Sequence, residues 1–139
     1  MRNLLALMLL APLLSWGDEQ ILECPRTVEV KSAVQPPPGW QVVVPVEPNV
    51  LERVGFFSGH PSARASLVPD KTQTGNGASN DIWNFLPAAP GEPWLACYYT
   101  GTSLAIAKPV AKQVRRCEVR YKATRAGSRL SVTAIRCTE

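Results

Sequence analysis

From Asp18 onward this chain has no long amphipathic helical stretch. Short runs rich in Val, Ile, Tyr, Phe and Trp are parted by clusters of proline and glycine, which together supply 22 of its 139 residues (13 Pro, 9 Gly). Proline cannot donate to a hydrogen-bond ladder and breaks a helix interior, so uninterrupted elements stay short. Many short strands with frequent turns predict an all-β fold, a small antiparallel β-sandwich or barrel. The alternative is an α+β arrangement with one short helix laid on a sheet.

Strands are expected at Val28 to Val34, Trp40 to Val46, Arg53 to Ser58, Ser66 to Thr72, Ile82 to Leu86, Trp94 to Thr100 and Leu104 to Lys108. Pro36-Pro37-Pro38-Gly39 makes a turn, and Pro45 argues for an edge position or a strand end. Gln73 to Asn80 is polar and carries two glycines, so it reads as a loop. Single helical turns fit Pro61 to Ala65 and Pro109 to Gln113. The last two strands are the clearest. Arg116 to Ala123 alternates, with Cys117, Val119 and Tyr121 on one face and Glu118, Arg120 and Lys122 on the other. Arg129 to Cys137 follows, with Leu130, Val132 and Ala134 on one face. Thr124 to Ser128, containing Gly127, turns the chain between them.

The four cysteines are Cys24, Cys97, Cys117 and Cys137. Three pairings are possible. Folding the last two strands antiparallel about Ala126-Gly127 brings Cys117 opposite Cys137, with a bulge to set the register, and leaves Cys24 for Cys97. No two cysteines are spaced as a paired-ligand turn, and His60 is the only histidine, so neither a metal nor a cofactor is expected.

Disulfides need an oxidising compartment. Met1 to Gly17 has the layout of a secretory signal peptide: Arg2, an uncharged apolar run from Leu4 to Leu14, then small residues Ser15 and Gly17 before a cut at Asp18. The run is short of the about 20 residues a membrane span needs. Residues 18–139 are then one disulfide-stapled domain, expected in the periplasm. Charge is uneven along it. Asp18 to Ala107 holds nine acids and five bases, whereas Lys108 to Glu139 holds nine bases and two acids. A basic end attracts nucleic acid, anionic lipid, glycan or an acidic protein. Export removes nucleic acid from that set and leaves a weak anionic envelope contact as one reading of the basic hairpin.

No catalytic constellation stands out. His60, in Phe56-Phe57-Ser58-Gly59-His60-Pro61, would need a serine and an acid such as Ser62, Ser66 or Asp70 to meet it through folding. Glu47 with Glu52, or Asp70 with Asp81, are carboxylate pairs with ordinary surface spacing. No glycine loop is placed to cradle phosphate. A non-enzymatic binding protein is the leading expectation, and a small hydrolase is the alternative. For a contact surface, alternation in Trp94 to Thr100 sets Leu95, Cys97 and Tyr99 apart from Trp94, Ala96 and Tyr98. Tyr98 is then the exposed tyrosine, grouped with Arg115 and Arg116 because Tyr and Arg anchor protein interfaces. Ser58, His60 and Arg64 form a second group, on a loop that could enter a partner's cleft together with Gln73 to Asn80.

The order Cys24-Pro25, Val28-Glu29-Val30, Gly39-Trp40, Phe56-Phe57-Ser58-Gly59, Ala65-Ser66-Leu67-Val68-Pro69-Asp70, Trp83, Trp94-Leu95-Ala96-Cys97-Tyr98 and Cys117-Glu118-Val119-Arg120-Tyr121 resembles a family of small exported Gram-negative bacterial proteins of uncharacterised function, some encoded near type VI secretion genes. The resemblance spans nearly all of residues 18–139. It implies a periplasmic immunity protein that neutralises a toxin, and it carries no functional residues with it; taken with the binding-protein expectation, the reading is an inhibitor or immunity protein that occludes the active site of a toxin or cell-wall enzyme. Periplasmic lysozyme inhibitors are also small disulfide-bonded β proteins, but their serine-glycine loop has only a loose counterpart in Thr100-Gly101-Thr102-Ser103.

Overall fold

The computed structural model describes residues 18–31, 34–43, 47–85 and 91–139, so the expected signal peptide at 1–17 lies outside the described residues. Among the described residues ten strands form two antiparallel sheets: β1 (Glu19–Leu22), β2 (Thr27–Val28), β3 (Asn49–Ser58), β4 (Ser66–Leu67), β5 (Lys71–Gly75), β6 (Ala78–Asn84), β7 (Pro93–Tyr99), β8 (Ala105–Pro109), β9 (Arg116–Ala123) and β10 (Arg129–Thr138). The first sheet has the order β1-β10-β9-β6-β5. The second has β2-β3-β7-β8, with β4 added to the end of β3. The chain crosses between sheets at β1–β2, β4–β5, β6–β7 and β8–β9. This is the expected all-β sandwich. Among the described residues the helical content is a 3₁₀ turn at Pro61–Ala63, so no helix covers either sheet and the α+β alternative is set aside.

The core lies between the sheets. Leu22, Trp83, Cys117, Val119, Tyr121, Ile135 and Cys137 enter it from the first sheet, and Val54, Phe56, Leu95, Cys97 and Tyr99 from the second. Phe56 meets the edges of Trp83 and Phe85 at 5.0 and 5.5 Å between ring centres, the arrangement ring quadrupoles favour. Each buried polar aromatic uses its polar atom to tie regions together. The Tyr121 hydroxyl donates to the Val54 carbonyl across the sandwich, the Trp83 indole donates to Leu67, and the Tyr99 hydroxyl donates to Pro25 in the first crossover.

Both expected disulfides are present. Cys117 and Cys137 are directly opposed on β9 and β10 with Cα atoms 4.1 Å apart, and Cys24 reaches Cys97 on β7 from the β1–β2 connection. Four details differ from expectation. The bulging expected of the last hairpin is present, with register shifts between Arg129 and Ser131 and between Val132 and Ala134, but the faces of β10 differ. The shifts turn Val132 and Ile135 toward the core, pair Ala134 with Arg120 on the outside, and leave Leu130 exposed. Gln73 to Asn80 is a hairpin rather than a loop: Asn76 and Gly77 both take positive φ, the two-residue turn that matches strand twist. Ser66 to Thr72 is two strands in different sheets, because Pro69 lacks the N–H to continue the ladder. The first expected run is paired only at Thr27 and Val28, residues 32–33 and 44–46 lie outside the described residues, and Trp40 to Val43 is exposed without a strand partner.

Candidate functional site

Because Val54, Phe56, Leu95, Cys97 and Tyr99 point inward, alternation sends their neighbours to the outside of the second sheet. The register then sets three rows across β3, β7 and β8: Phe57–Trp94–Pro109, Gly55–Ala96–Ala107 and Arg53–Tyr98–Ala105. The middle row has almost no side chains. The Tyr98 and Phe57 rings lean into that space, and a Cβ placed on Gly55 would lie 3.6 and 4.0 Å from them. The Arg53 guanidinium sits 3.5 Å from the centre of the Tyr98 ring, a cation–π contact that orders both side chains. Trp94 and Tyr98 remain half-buried, and no described strand or helix lies over them.

The loop after β3 rises beside this face and is pinned. Ser58 N–H donates to Ala65, and Gly59 N–H donates to Glu92. Gly91 packs so closely that a side chain there would lie 3.1 Å from the Gly59 nitrogen. His60 caps the 3₁₀ turn: its Nδ1 accepts from the Ser62 backbone N–H at 3.2 Å and stands 2.8 Å from the Ser62 hydroxyl. The imidazole meets Trp94 edge-on at 4.6 Å. Arg64 ends the turn in the left-handed region, at φ 58°, with its N–H bonded to Pro61. His60 therefore resembles half of a serine–histidine pair in composition only. Its hydrogen-bond partner among the described residues is Ser62, through the nitrogen that builds the cap.

Of the carboxylates considered above for hydrolysis, Asp70 and Asp81 are engaged elsewhere. Asp81, 2 % exposed, accepts from Arg129 at 2.6 Å and from the Thr72 hydroxyl at 2.7 Å, locking the β5–β6 hairpin to β10. Arg129 also lies 4.5 Å from the Tyr121 ring centre. Burial first, then the nearby Asp81 charge, raises the Tyr121 pKa above its ordinary 10.0, and burial alone raises that of Tyr99. Asp70 accepts from the Asn84 backbone at 2.6 Å, which fastens the β4–β5 crossover.

The expected contact residues thus divide. Ser58, His60 and Arg64 share the pinned loop, and His60 joins Trp94 and Tyr98 on the outside of the second sheet. Arg116 points outward from the first sheet, with Arg115 just before it, so Tyr98 and Arg116 face opposite directions. The hairpin at Gln73 to Asn80 carries its turn at the far end of β6, about 20 Å of strand from Asn84. Trp94 was legible from its alternation with Tyr98. Phe57 and Arg53 were not, because only the register of β3 on β7 places them there.

Among relatives, an uncharacterised 16.3 kDa protein in the 5′ region of trpG of Azospirillum brasilense is 25 % identical over 104 residues, covering 70 % of this chain and 69 % of that protein. No solved structure matches the chain. The family model of the type VI secretion system Tli immunity protein matches residues 46–138, from the start of β3 to the end of β10. Two-thirds of the sequence lies in that match, and the chain belongs to the type VI secretion system Tli immunity protein family.

Proposed function

We propose that this immunity protein works in the periplasm and neutralises its type VI effector by covering the effector's active site with the outside of the second sheet and the adjoining Ser58–Arg64 loop. One observation carries the reading: in a chain of an immunity family, half-buried Trp94 and Tyr98 and exposed Arg53 gather with buried Phe57 on the outside of the second sheet, beside a pinned loop. Trp, Tyr and Arg dominate binding energy when desolvated at the centre of an interface. A loop held by its own hydrogen bonds loses little entropy on docking. Two disulfides suit an oxidising compartment, and the leader-like residues 1–17 fit export to it. The role is stoichiometric rather than catalytic, since His60 serves a cap and Asp70 and Asp81 serve structure.

The test is to co-express the chain with the product of the adjacent gene, measure a one-to-one complex, and assay the toxin alone and bound. Inhibition that disappears in the Trp94→Ala/Tyr98→Ala variant is the expected result. A complex that leaves the toxin fully active removes occlusion, and inhibition unaffected by those substitutions removes this face.

A further inference from the structure

We propose that the outside of the first sheet is a docking surface for an anionic phospholipid bilayer, separate from the face assigned to the effector. Since Cys117, Val119, Tyr121, Ile135 and Cys137 point inward, the register sends Arg116, Glu118, Arg120 and Lys122 of β9 outward, along with Arg136 of β10, Lys71 of β5 and Glu19 of β1. Five cations and two carboxylates share a face of five strands, about 20 Å across and about 20 Å from Arg116 to Lys122.

The two acids leave the cations available. Glu118 stands 3.9 Å from Arg116 and 3.8 Å from Arg120, and Glu19 stands 3.7 Å from Arg136, with all three arginine side chains about half exposed. Loose exposed pairs of this kind hold their partners weakly. Successive cations along β9 lie two to four residues apart, about 7 to 13 Å, comparable to the Debye length of about 8 to 10 Å, so neighbouring cations add at an outside surface.

The choice of a bilayer over an acidic protein comes from what this face lacks. Protein interfaces are organised around a buried aromatic or aliphatic centre with charge at the rim. No aromatic side chain points outward from the described strands of this sheet; its aliphatic residues on this side are Ile82, buried in the row between Lys71 and Glu118, Ile21 on the edge strand beside Arg136, and Leu130, exposed at the start of β10. A dispersed cationic layer without an anchor complements a surface that is itself dispersed and laterally mobile, which is what anionic lipid headgroups provide. A sandwich lying on a bilayer by its first sheet presents its second sheet, with Trp94 and Tyr98, away from the lipid.

The experiment is co-sedimentation of the purified, fully oxidised protein with vesicles of phosphatidylcholine alone and with about 30 mol % phosphatidylglycerol, at about 0.05 M and about 0.5 M salt. Binding is expected only with phosphatidylglycerol and only at low salt. Arg116→Glu/Arg120→Glu should weaken it by at least roughly 30-fold, at about fivefold per cation removed. Glu118→Gln should strengthen it about fivefold, and Trp94→Ala should leave it unchanged. Circular dichroism and a free-thiol assay check folding; should the first pair not fold, Lys122→Glu/Arg136→Glu probes the same face from neighbouring positions. Equal binding to both vesicle types, no binding at low salt, or indifference to these charge reversals overturns the proposal. So does a result in which vesicles never bind but the reversals weaken effector capture, which assigns the face to an acidic protein. Effector inhibition is measured on the same variants, so loss of one activity is distinguishable from loss of the other.

Discussion

The two outer faces of this sandwich obey the same alternation and end with opposite chemistry. On β3 and β7 the outward positions are Arg53, Gly55 and Phe57 beside Tyr98, Ala96 and Trp94; on β9 they are Arg116, Glu118, Arg120 and Lys122. The inward residues of both sheets are alike in kind, mostly apolar, aromatic or half-cystine with Ser79 and Asp81 as buried polar residues of the first sheet, because one core selects them. Outward residues are free of that selection, so their composition reports what each face meets. Half-buried aromatics such as Trp94 and Tyr98 are residue types that anchor protein contacts, whereas mixed charge is the ordinary solution for a wet face. The excess of cations on the first sheet takes it beyond that ordinary solution.

The largest effects should come from the disulfides, which divide between the two sheets. Cys24–Cys97 fastens the first crossover to the aromatic sheet and closes 73 residues, while Cys117–Cys137 lies within the charged sheet and closes 20. Constraining the unfolded chain then stabilises by roughly 4 and 3 kcal/mol respectively. Urea titration of the two paired serine variants should give the larger loss for Cys24→Ser/Cys97→Ser. The reverse ranking would mean that local support of the β9–β10 ladder outweighs chain entropy.

Next come the faces themselves. Trp94→Ala or Tyr98→Ala should weaken effector binding by about 2 kcal/mol or more, mostly through faster dissociation. Arg116→Glu should alter chiefly the association rate and its salt dependence. Surface plasmon resonance separates the two, and equal effects from both faces would abolish the distinction drawn here.

A substitution inside the sandwich supplies the contrast. Asp81→Ala leaves Thr72 and Arg129 without their acceptor, and Arg129 can turn to solvent, so the cost should be about 2 kcal/mol of stability with neither face affected. Thermal melts and both binding assays on one preparation check this.

The smallest effect is on pH. Tyr121 and Tyr99 hold their protons more tightly folded than unfolded. Their contribution is therefore whole below the unfolded value of 10.0 and is lost as pH rises through the folded values. Urea midpoints at about pH 8 and about pH 11 should differ less in Tyr121→Phe than in the wild type.

How much of this was legible beforehand follows from locality. Strand β9 and its two faces can be read directly, because alternation over eight residues is a local signal, and Cys117–Cys137 follows from one adjacent turn. β10 misleads because its bulges reset the alternation midway, so Leu130 falls outside although it shares a nominal period with Val132. The β5–β6 hairpin is concealed by its wetness: Lys71–Gly75 is exposed throughout, and the usable signal is the Asn76-Gly77 turn. Tyr98 can be assigned outward from its neighbours. Arg53 cannot be paired with it from the sequence, since the bulge between Leu51 and Arg53 sets that register some forty residues away. Trp40, expected to open a strand, is 74 % exposed and lies outside the described strands.

Hydrogen–deuterium exchange on the complex with its effector tests the central claim most directly, by reporting which outer face the partner covers. Protection is predicted on β3, β7, β8 and the Ser58–Arg64 loop, with β9 and β10 exchanging as in the free protein. Protection concentrated on Arg116–Ala123 and Arg129–Thr138, with Trp94 and Tyr98 unaffected, would contradict it.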